Sequence, residues 1–209
     1  MAEALDSYKT ISQPTEEVLY KEKNSKFFGY AFPIQHEDEV KEIIDRIKKE
    51  HYNARHWCYA FQLGAEQVYY RANDDGEPSN TAGAPIYGQI QSYDVTDILI
   101  VVVRYFGGIK LGVGGLITAY RAAAQMAMEE ADIIEKTIDK KFKVRFEYKD
   151  MNNVMRVIKE KDLNILNQKM EMSCEIELSI RKNEYEQALA AFVPFYEVKV
   201  IQETDKDYL

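Results

Sequence analysis

The sequence contains only two cysteines, Cys58 and Cys174, and they are far apart in the chain. They form no CxxC pair, so the spacing does not match a zinc ribbon and does not suggest a disulfide framework. Both residues alternate with apolar residues in strand-like runs. We therefore expect two buried structural thiols and no disulfide-linked partner.

Long apolar runs and a secretion signal are also missing. Every uncharged stretch is shorter than the roughly 18 apolar residues that a membrane-spanning helix needs. The first residues, Met1 to Asp6, lack the basic start and apolar middle of a signal peptide. We expect a cytoplasmic protein without a membrane partner.

Acidic residues are absent from one segment of an otherwise acidic chain. The 209 residues carry a formal net charge of −8, which argues against nucleic-acid binding through bulk charge. However, residues 98–128 contain no Asp or Glu and do contain Arg104, Lys110 and Arg121. This local excess of positive charge indicates an anionic ligand near that segment.

The first part of the chain mixes strand and helix patterns. Hydrophobic spacing predicts the following elements: a strand pair over 14–34, a helix over 37–50, a hairpin over 56–70, a polar loop over 73–80, a short helix after an N-cap at Thr81, a strand over 97–105 and a helix over 115–131. The apolar run in the 97–105 strand predicts burial on both faces.

A second pattern begins near residue 138, in the order strand, helix, strand, strand, helix, strand. The segments are 141–148, 151–159, 163–167, 170–180, 183–192 and 196–201. This β-α-β-β-α-β order is that of a ferredoxin-like unit. The sequence therefore predicts an α+β protein with two domains, residues 1–138 and 139–209.

The segment richest in glycine joins the predicted strand 97–105 to the helix that follows it. Five of the ten glycines lie between Gly107 and Gly115. Glycine lets backbone N–H groups converge on a ligand, and a helix N-terminus favours an anion. Neither a P-loop nor a dinucleotide fingerprint fits. The candidate anion-binding residues are Arg104, Gly107, Gly108, Lys110 and Gly112, although the glycines could instead only permit tight packing.

Two further groups of residues could carry chemistry. The loop Asp74-Asp75-Gly76-Glu77-Pro78 has three carboxylates that could bind a hard cation, hold the basic groups of the glycine run, or form a solvated turn. It lacks the spacing of a calcium loop. His51, His56 and Cys58 could form a metal or Cys–His site only if they converge, and packing is the simpler interpretation. We predict no metal and no cofactor.

These segments together resemble the IMPACT/YigZ family. The resemblance rests on four motifs, which are Ser25-Lys26-Phe27, Ala54-Arg55-His56-Trp57-Cys58-Tyr59-Ala60, the stretch from Asp74 to Gly83, and the stretch from Val102 to Leu116. Two positions depart from the family pattern: Asn80 stands where glycine is usual, and Ile109 where threonine is usual. Asn tolerates a positive φ, so we expect the turn at Asn80 to persist.

The resemblance implies an N-terminal α/β domain similar to a small-subunit ribosomal protein and to domain IV of elongation factor G. It also implies a ferredoxin-like C-terminal domain. Eukaryotic members of the family act in translational control through an additional domain, which we do not expect in this protein. The expected partners are RNA, the ribosome or a translation factor.

Three hypotheses about function follow. The first is a translation-linked binding protein whose glycine-rich loop contacts RNA or another phosphate-bearing ligand. The second is a small-molecule hydrolase with His56, Asp75 and Glu77 as candidate catalytic residues. The third is a protein-interaction module that uses the sheet of the C-terminal domain.

Overall fold

A computed structural model describes residues 6–171 and 173–202. The chain divides into two compact units. The first is Ser7–Lys136, and the second comprises the described residues from Thr137 onward together with Asp6. Within the described residues, no helix is long and apolar enough to cross a membrane.

The first unit contains seven strands and three helices. In chain order they are β1 Ser7–Ile11, β2 Val18–Glu22, β3 Ser25–Pro33, α1 Glu37–Glu50, β4 His56–Leu63, β5 Tyr69–Asn73, α2 Gly83–Ser92, β6 Ile98–Tyr105, α3 Gly112–Glu129 and β7 Ile133–Thr137. Five strands form one sheet in the order β2-β3-β6-β4-β5, with antiparallel neighbours. β1 pairs with β7 in a separate two-stranded sheet.

β6 lies at the centre of the five-stranded sheet and is covered on both faces, as its apolar sequence predicts. Ile98, Ile100 and Val102 pack with the residues of α2 and α3. Leu99, Val101 and Val103 pack on the opposite face, with the buried side of α1. Because side chains alternate along a strand, a fully apolar strand supplies both layers of the core.

In its described residues, the second unit contains four strands and two α-helices. They are β8 Asp139–Glu147, α4 Met151–Glu160, β9 Asn164–Lys169, β10 Ser173–Arg181, α5 Tyr185–Phe192 and β11 Lys199–Gln202. The sheet order is β11-β8-β10-β9, again with antiparallel neighbours. Its core is a cluster of its own that includes Phe142, Val157, Ile176 and Phe192.

The structure corrects three expectations about the elements. Thr81 is not the N-cap of α2, because Ala82 holds that position and the Thr81 hydroxyl donates to the Pro78 carbonyl oxygen at 2.6 Å. α3 begins at Gly112, three residues before the predicted start. β1 and β7 were not predicted at all, because each is short and lacks a clear alternation.

Candidate anion-binding cleft

The glycine-rich loop lies between the end of β6 and the start of α3, and its glycines have different structural roles. Gly108 and Gly112 have positive φ angles of 87° and 71°, a backbone conformation that favours glycine. Gly107 is required for space, since a Cβ atom there would lie 2.0 Å from the backbone carbon of Asn24. Close packing therefore explains Gly107, and backbone conformation explains Gly108 and Gly112.

The N-terminus of α3 is open to solvent beside this loop. Its N-cap residue, Leu111, makes no side-chain cap, and the first turn has no acidic residue. The first N–H groups of a helix lack intrahelical partners, and the helix dipole places positive potential there. Gly112, Val113 and Gly114 are exposed, so these donors can meet a ligand.

Arg104, at the end of β6, is buried against Glu77. Only 5% of the residue is exposed, and its Nη1 lies 2.5 Å from Oε1 of Glu77. The guanidinium carbon is 5.5 Å from the ring centroids of both Phe27 and Phe106. Arg104 and Glu77 therefore form an ion pair without net charge. The buried Nε–H group of Arg104 has no hydrogen-bond partner among the described residues.

The three carboxylates of the acidic loop point to three different places. Glu77, whose side chain is 4% exposed, also accepts a hydrogen bond from the Tyr120 hydroxyl at 2.8 Å. Asp74 accepts the backbone N–H groups of residues 80, 82 and 83, so it caps the start of α2. Asp75 accepts the Trp57 backbone N–H. The loop was expected to bind a cation, to hold a basic group or to form a solvated turn. Glu77 holds a basic group, the guanidinium of Arg104.

Divergent carboxylates are a poor cation site, because a metal ion needs ligands that converge. Across residues 6–171 and 173–202, no three His, Cys, Asp or Glu side chains are placed to hold a metal ion.

His56 is held in a defined orientation by the same loop. Its Nδ1 lies 2.8 Å from the backbone carbonyl oxygen of Asp75, and a carbonyl oxygen can only accept. Nδ1 therefore carries the proton in the neutral ring, and Nε2 keeps its lone pair. Nε2 lies 3.9 Å from Oε1 of Glu77. Nε2 could therefore accept a proton from a molecule bound in its vicinity.

The structure does not bring His51, His56 and Cys58 together as one site. His51 contacts the hydroxyls of Tyr30 and Tyr105. Sγ of Cys58 lies 3.1 Å from the Asp74 carbonyl oxygen and 3.3 Å from the Tyr120 hydroxyl oxygen. Burial raises the pKa of the Cys58 thiol well above its ordinary value, which disfavours the thiolate that nucleophilic chemistry needs. Both cysteines are buried and free, as predicted.

These elements enclose a cleft of about 460 Å³, which we call the glycine-loop cleft. Among the candidate anion-binding residues, Arg104, Lys110 and Gly112 line it. Of the candidate catalytic residues, His56 and Glu77 line it, whereas Asp75 lines a different groove beside α1. Arg55, Phe106 and Val113 also line the glycine-loop cleft and were not predicted as site residues. The position of Arg55 directly before His56 in the sequence could have identified Arg55 as a candidate site residue.

The charge and polarity of the cleft are mixed. Exposed cations, Arg55 and Lys110, lie at its margin, and the Arg104–Glu77 pair contributes no net charge. Phe106 is 42% exposed and lines the cleft, so part of its ring is accessible there. The cleft therefore combines positive charge, free backbone donors and an aromatic surface.

Comparison with known proteins places the chain in a family. A family model described as the Impact N-terminal domain matches residues 23–128. "IMPACT family member YvyE" of Bacillus subtilis is 40% identical over 134 residues, which is 64% of this chain and 61% of that protein. An "IMPACT family member" of Haemophilus influenzae is 33% identical over 180 residues, covering 83% of this chain and 86% of that protein. The chain belongs to the IMPACT family.

A solved structure extends the likeness to the fold. The structure titled "Crystal structure of an hypothetical protein" is 25% identical, with a TM-score of 0.74. The match covers 97% of this chain and all of the other. The similarity therefore includes both units and supports a two-domain α+β fold. The match of the family model includes β6, the glycine-rich loop and most of α3, so the cleft lies in the family's own domain.

Proposed function

We propose that this protein acts in the cytoplasm as a translation-linked binding protein, and that its glycine-loop cleft contacts RNA or another phosphate-bearing ligand. The translation link rests on membership of a family whose eukaryotic members act in translational control. We also propose fold similarities for the two units. The first unit would be similar to a small-subunit ribosomal protein and to domain IV of elongation factor G. The sheet order β11-β8-β10-β9 supports a ferredoxin-like second unit.

The observation that carries the proposal is the combination of groups in the cleft. Phosphate is bound by cations and by free N–H groups at a helix N-terminus, which Arg55, Lys110 and α3 provide. Bases of single-stranded RNA stack on exposed aromatic rings, and Phe106 offers one. A volume of about 460 Å³ is within the usual range for a small ligand, so it suits one nucleotide at a time.

Arg104 has a different role from the one that its sequence position suggests. Since Glu77 neutralises its charge, Arg104 orients Phe106 and the acidic loop more than it attracts a phosphate. The phosphate contacts are therefore assigned first to Arg55 and Lys110.

The test is a salt series with a labelled 12-nucleotide oligouridylate, followed by fluorescence anisotropy. For single strands, each phosphate contact contributes about 0.7 to the slope of log K against log salt. The Arg55→Ala/Lys110→Ala variant should therefore lose about 1.4 from this slope. Phe106→Ala should weaken binding by about 1–3 kcal/mol with an unchanged slope.

The matched control is Lys159→Ala/Lys161→Ala, which removes two exposed cations of the second unit. Its affinity should equal that of the wild type. Wild-type binding no tighter than that of the Arg55/Lys110 variant would rule out the cleft as the RNA site.

A second candidate function is hydrolysis, which is favoured by one observation. His56 presents the lone pair of Nε2 beside Glu77 in the wall of the cleft, so it could act as a general base. Asp75 would take part only through its backbone carbonyl group. A screen of phosphate and carboxylate esters with wild type and His56→Asn tests this: turnover that persists in His56→Asn excludes this role for His56.

A further inference from the structure

The first unit has a second concave surface, on the face of the sheet that α1 covers. A groove of about 790 Å³ runs between α1 and the strands β4 and β5, and we call it the α1 groove. Trp57, Tyr59 and Phe61 line it. They alternate along β4, so their side chains leave the sheet on the same side. The groove therefore has an aromatic floor.

An acidic stripe follows the helix side of this groove. Asp38, Glu42 and Asp45 are exposed and line it. Spacings of four and three residues place them on one face of α1, and like charges at this spacing destabilise a helix slightly. Among the described residues, none of the three is within ion-pair distance of a basic group. The stripe therefore has no ion pair in the described part of the chain, although Lys41 and Lys48 line the same groove.

The protein's own basic residues show how the groove receives a cation. Nζ of Lys48 lies 5.4 Å from the centroid of the Trp57 ring, a distance at which a cation is attracted to a ring face. Arg71 of β5 reaches Glu37 of α1, with 3.0 Å between Nη1 and Oε1. Trp57 thus contacts one cation of the protein, Lys48, and Glu37 pairs with another, Arg71. The acidic stripe makes no such pair among the described residues.

We propose that the α1 groove binds an extended, basic segment of a partner protein. The acidic stripe selects lysine or arginine and repels nucleic acid. It extends over eight residues of helix, from Asp38 to Asp45, which is a rise of about 10 Å at 1.5 Å per residue. In an extended chain, side chains on one side repeat about every 6.6 Å. Asp38, Glu42 and Asp45 are separated by rises of about 6 and 4.5 Å along the helix, which long basic side chains at alternate positions of the partner can reach.

Trp57 is the only tryptophan of the protein, so its fluorescence reports directly on the groove. The probe is an amidated peptide of alternating arginine and serine, Arg-Ser-Arg-Ser-Arg-Ser. Titration should shift the Trp57 emission in a saturable way. The corresponding glutamate peptide should cause no shift. Constant emission up to millimolar arginine peptide would overturn the proposal.

The variant that tests the stripe is Asp38→Asn/Glu42→Gln/Asp45→Asn, which keeps the shape of each side chain. We expect about tenfold weaker peptide binding, in line with the loss of three exposed charge contacts. The control, Glu160→Gln/Glu184→Gln/Glu186→Gln, changes the net charge equally but in the second unit. An equal loss in both variants would show attraction by overall charge and would contradict a specific groove.

Two further outcomes would identify another occupant and overturn the proposal. An emission shift that depends on protein concentration in the absence of peptide would indicate a second copy of this chain. A saturable shift with the oligouridylate that the three groove substitutions abolish would indicate RNA. Far-UV circular dichroism of the groove variant checks α1, and competition by unlabelled peptide for a labelled one gives a second measurement that does not depend on Trp57.

Discussion

Arg104 and Glu77 are both buried, and each compensates the charge of the other. Their side chains are 6% and 4% exposed, so water screens the pair little. Removal of one partner from a buried pair leaves a charge without compensation, whereas an apolar replacement of both can be nearly neutral. At this pair, stability and the shape of the glycine-loop cleft depend on the same two side chains.

We therefore predict that Glu77→Gln lowers the free energy of unfolding by about 3–5 kcal/mol. The double variant Glu77→Gln/Arg104→Met should lose clearly less than the sum of the two single variants, because it leaves no unpaired charge. Urea unfolding of the four proteins gives this cycle. Additive losses would mean that the two residues act independently.

Tyr120 makes the stability of the first unit sensitive to high pH. Burial raises the pKa of its phenol far above the ordinary value of 10.0. As the pH rises above about 10, the unfolded chain loses this proton while the folded chain keeps it. The unfolded state gains from that ionisation, so stability must fall with rising pH.

The expected loss is up to about 1.4 kcal/mol per pH unit from one such group. Tyr120→Phe should show a shallower decline between pH 9 and 11, although it starts from a lower stability because its hydrogen bond to Glu77 is gone. The Tyr30 phenol, whose pKa is also raised by burial, should preserve part of the slope. Parallel curves for wild type and Tyr120→Phe would exclude Tyr120 as a source of the pH dependence.

At the scale of the elements, the glycine-rich loop is fixed by contact with the β2–β3 turn. Gly107 donates its backbone N–H to the Ser25 hydroxyl at 3.1 Å and leaves no room for a Cβ atom beside Asn24. Gly114, in the first turn of α3, has open space where a Cβ atom would be. A side chain is therefore excluded at Gly107 and tolerated at Gly114.

Gly107→Ala should destabilise the protein by at least about 2 kcal/mol, because the clash is with backbone and cannot relax cheaply. Gly114→Ala should be neutral or stabilise by up to about 1 kcal/mol, because alanine favours the helix. Thermal unfolding monitored by circular dichroism compares the two. A Gly107→Ala protein as stable as Gly114→Ala would refute the assigned roles.

Elements with strong local patterns could be predicted from the sequence, and those defined by distant partners could not. α1 spans Glu37–Glu50 as its periodicity predicts, and the apolar run of β6 fixes a central strand. β1 and β7 pair across more than a hundred residues, so nothing local marks them. The cap of α2 is likewise supplied from a distance in sequence, by Asp74 rather than Thr81.

The candidate site shows the same limit at a larger scale. The sequence identifies Arg104, Lys110 and the glycines because they lie in one segment. It does not show that Glu77 neutralises Arg104, since that pair forms only when the acidic loop folds back towards β6. Nor does it show that Asp75 faces the α1 groove while His56, its hydrogen-bond partner, faces the glycine-loop cleft.

Over the whole molecule, each unit has its own hydrophobic core, and both proposed binding surfaces belong to the first. The buried residues of the five-stranded sheet, α1, α2 and α3 form clusters that exclude the second unit's residues, and the second unit has its own cluster. A domain with its own core can in principle fold alone. We expect the fragment Ser7–Lys136 to do so.

The fragment should unfold in urea with one sigmoidal transition, and its midpoint should be the same by Trp57 fluorescence and by circular dichroism, as two-state folding requires. In the full chain, Trp57 reports the first unit alone, while circular dichroism reports both. If the fragment lacks a cooperative transition, the first unit needs the second to fold, and separate cores would not mean separate stability. If it folds and still binds oligouridylate, the glycine-loop cleft is sufficient for that binding.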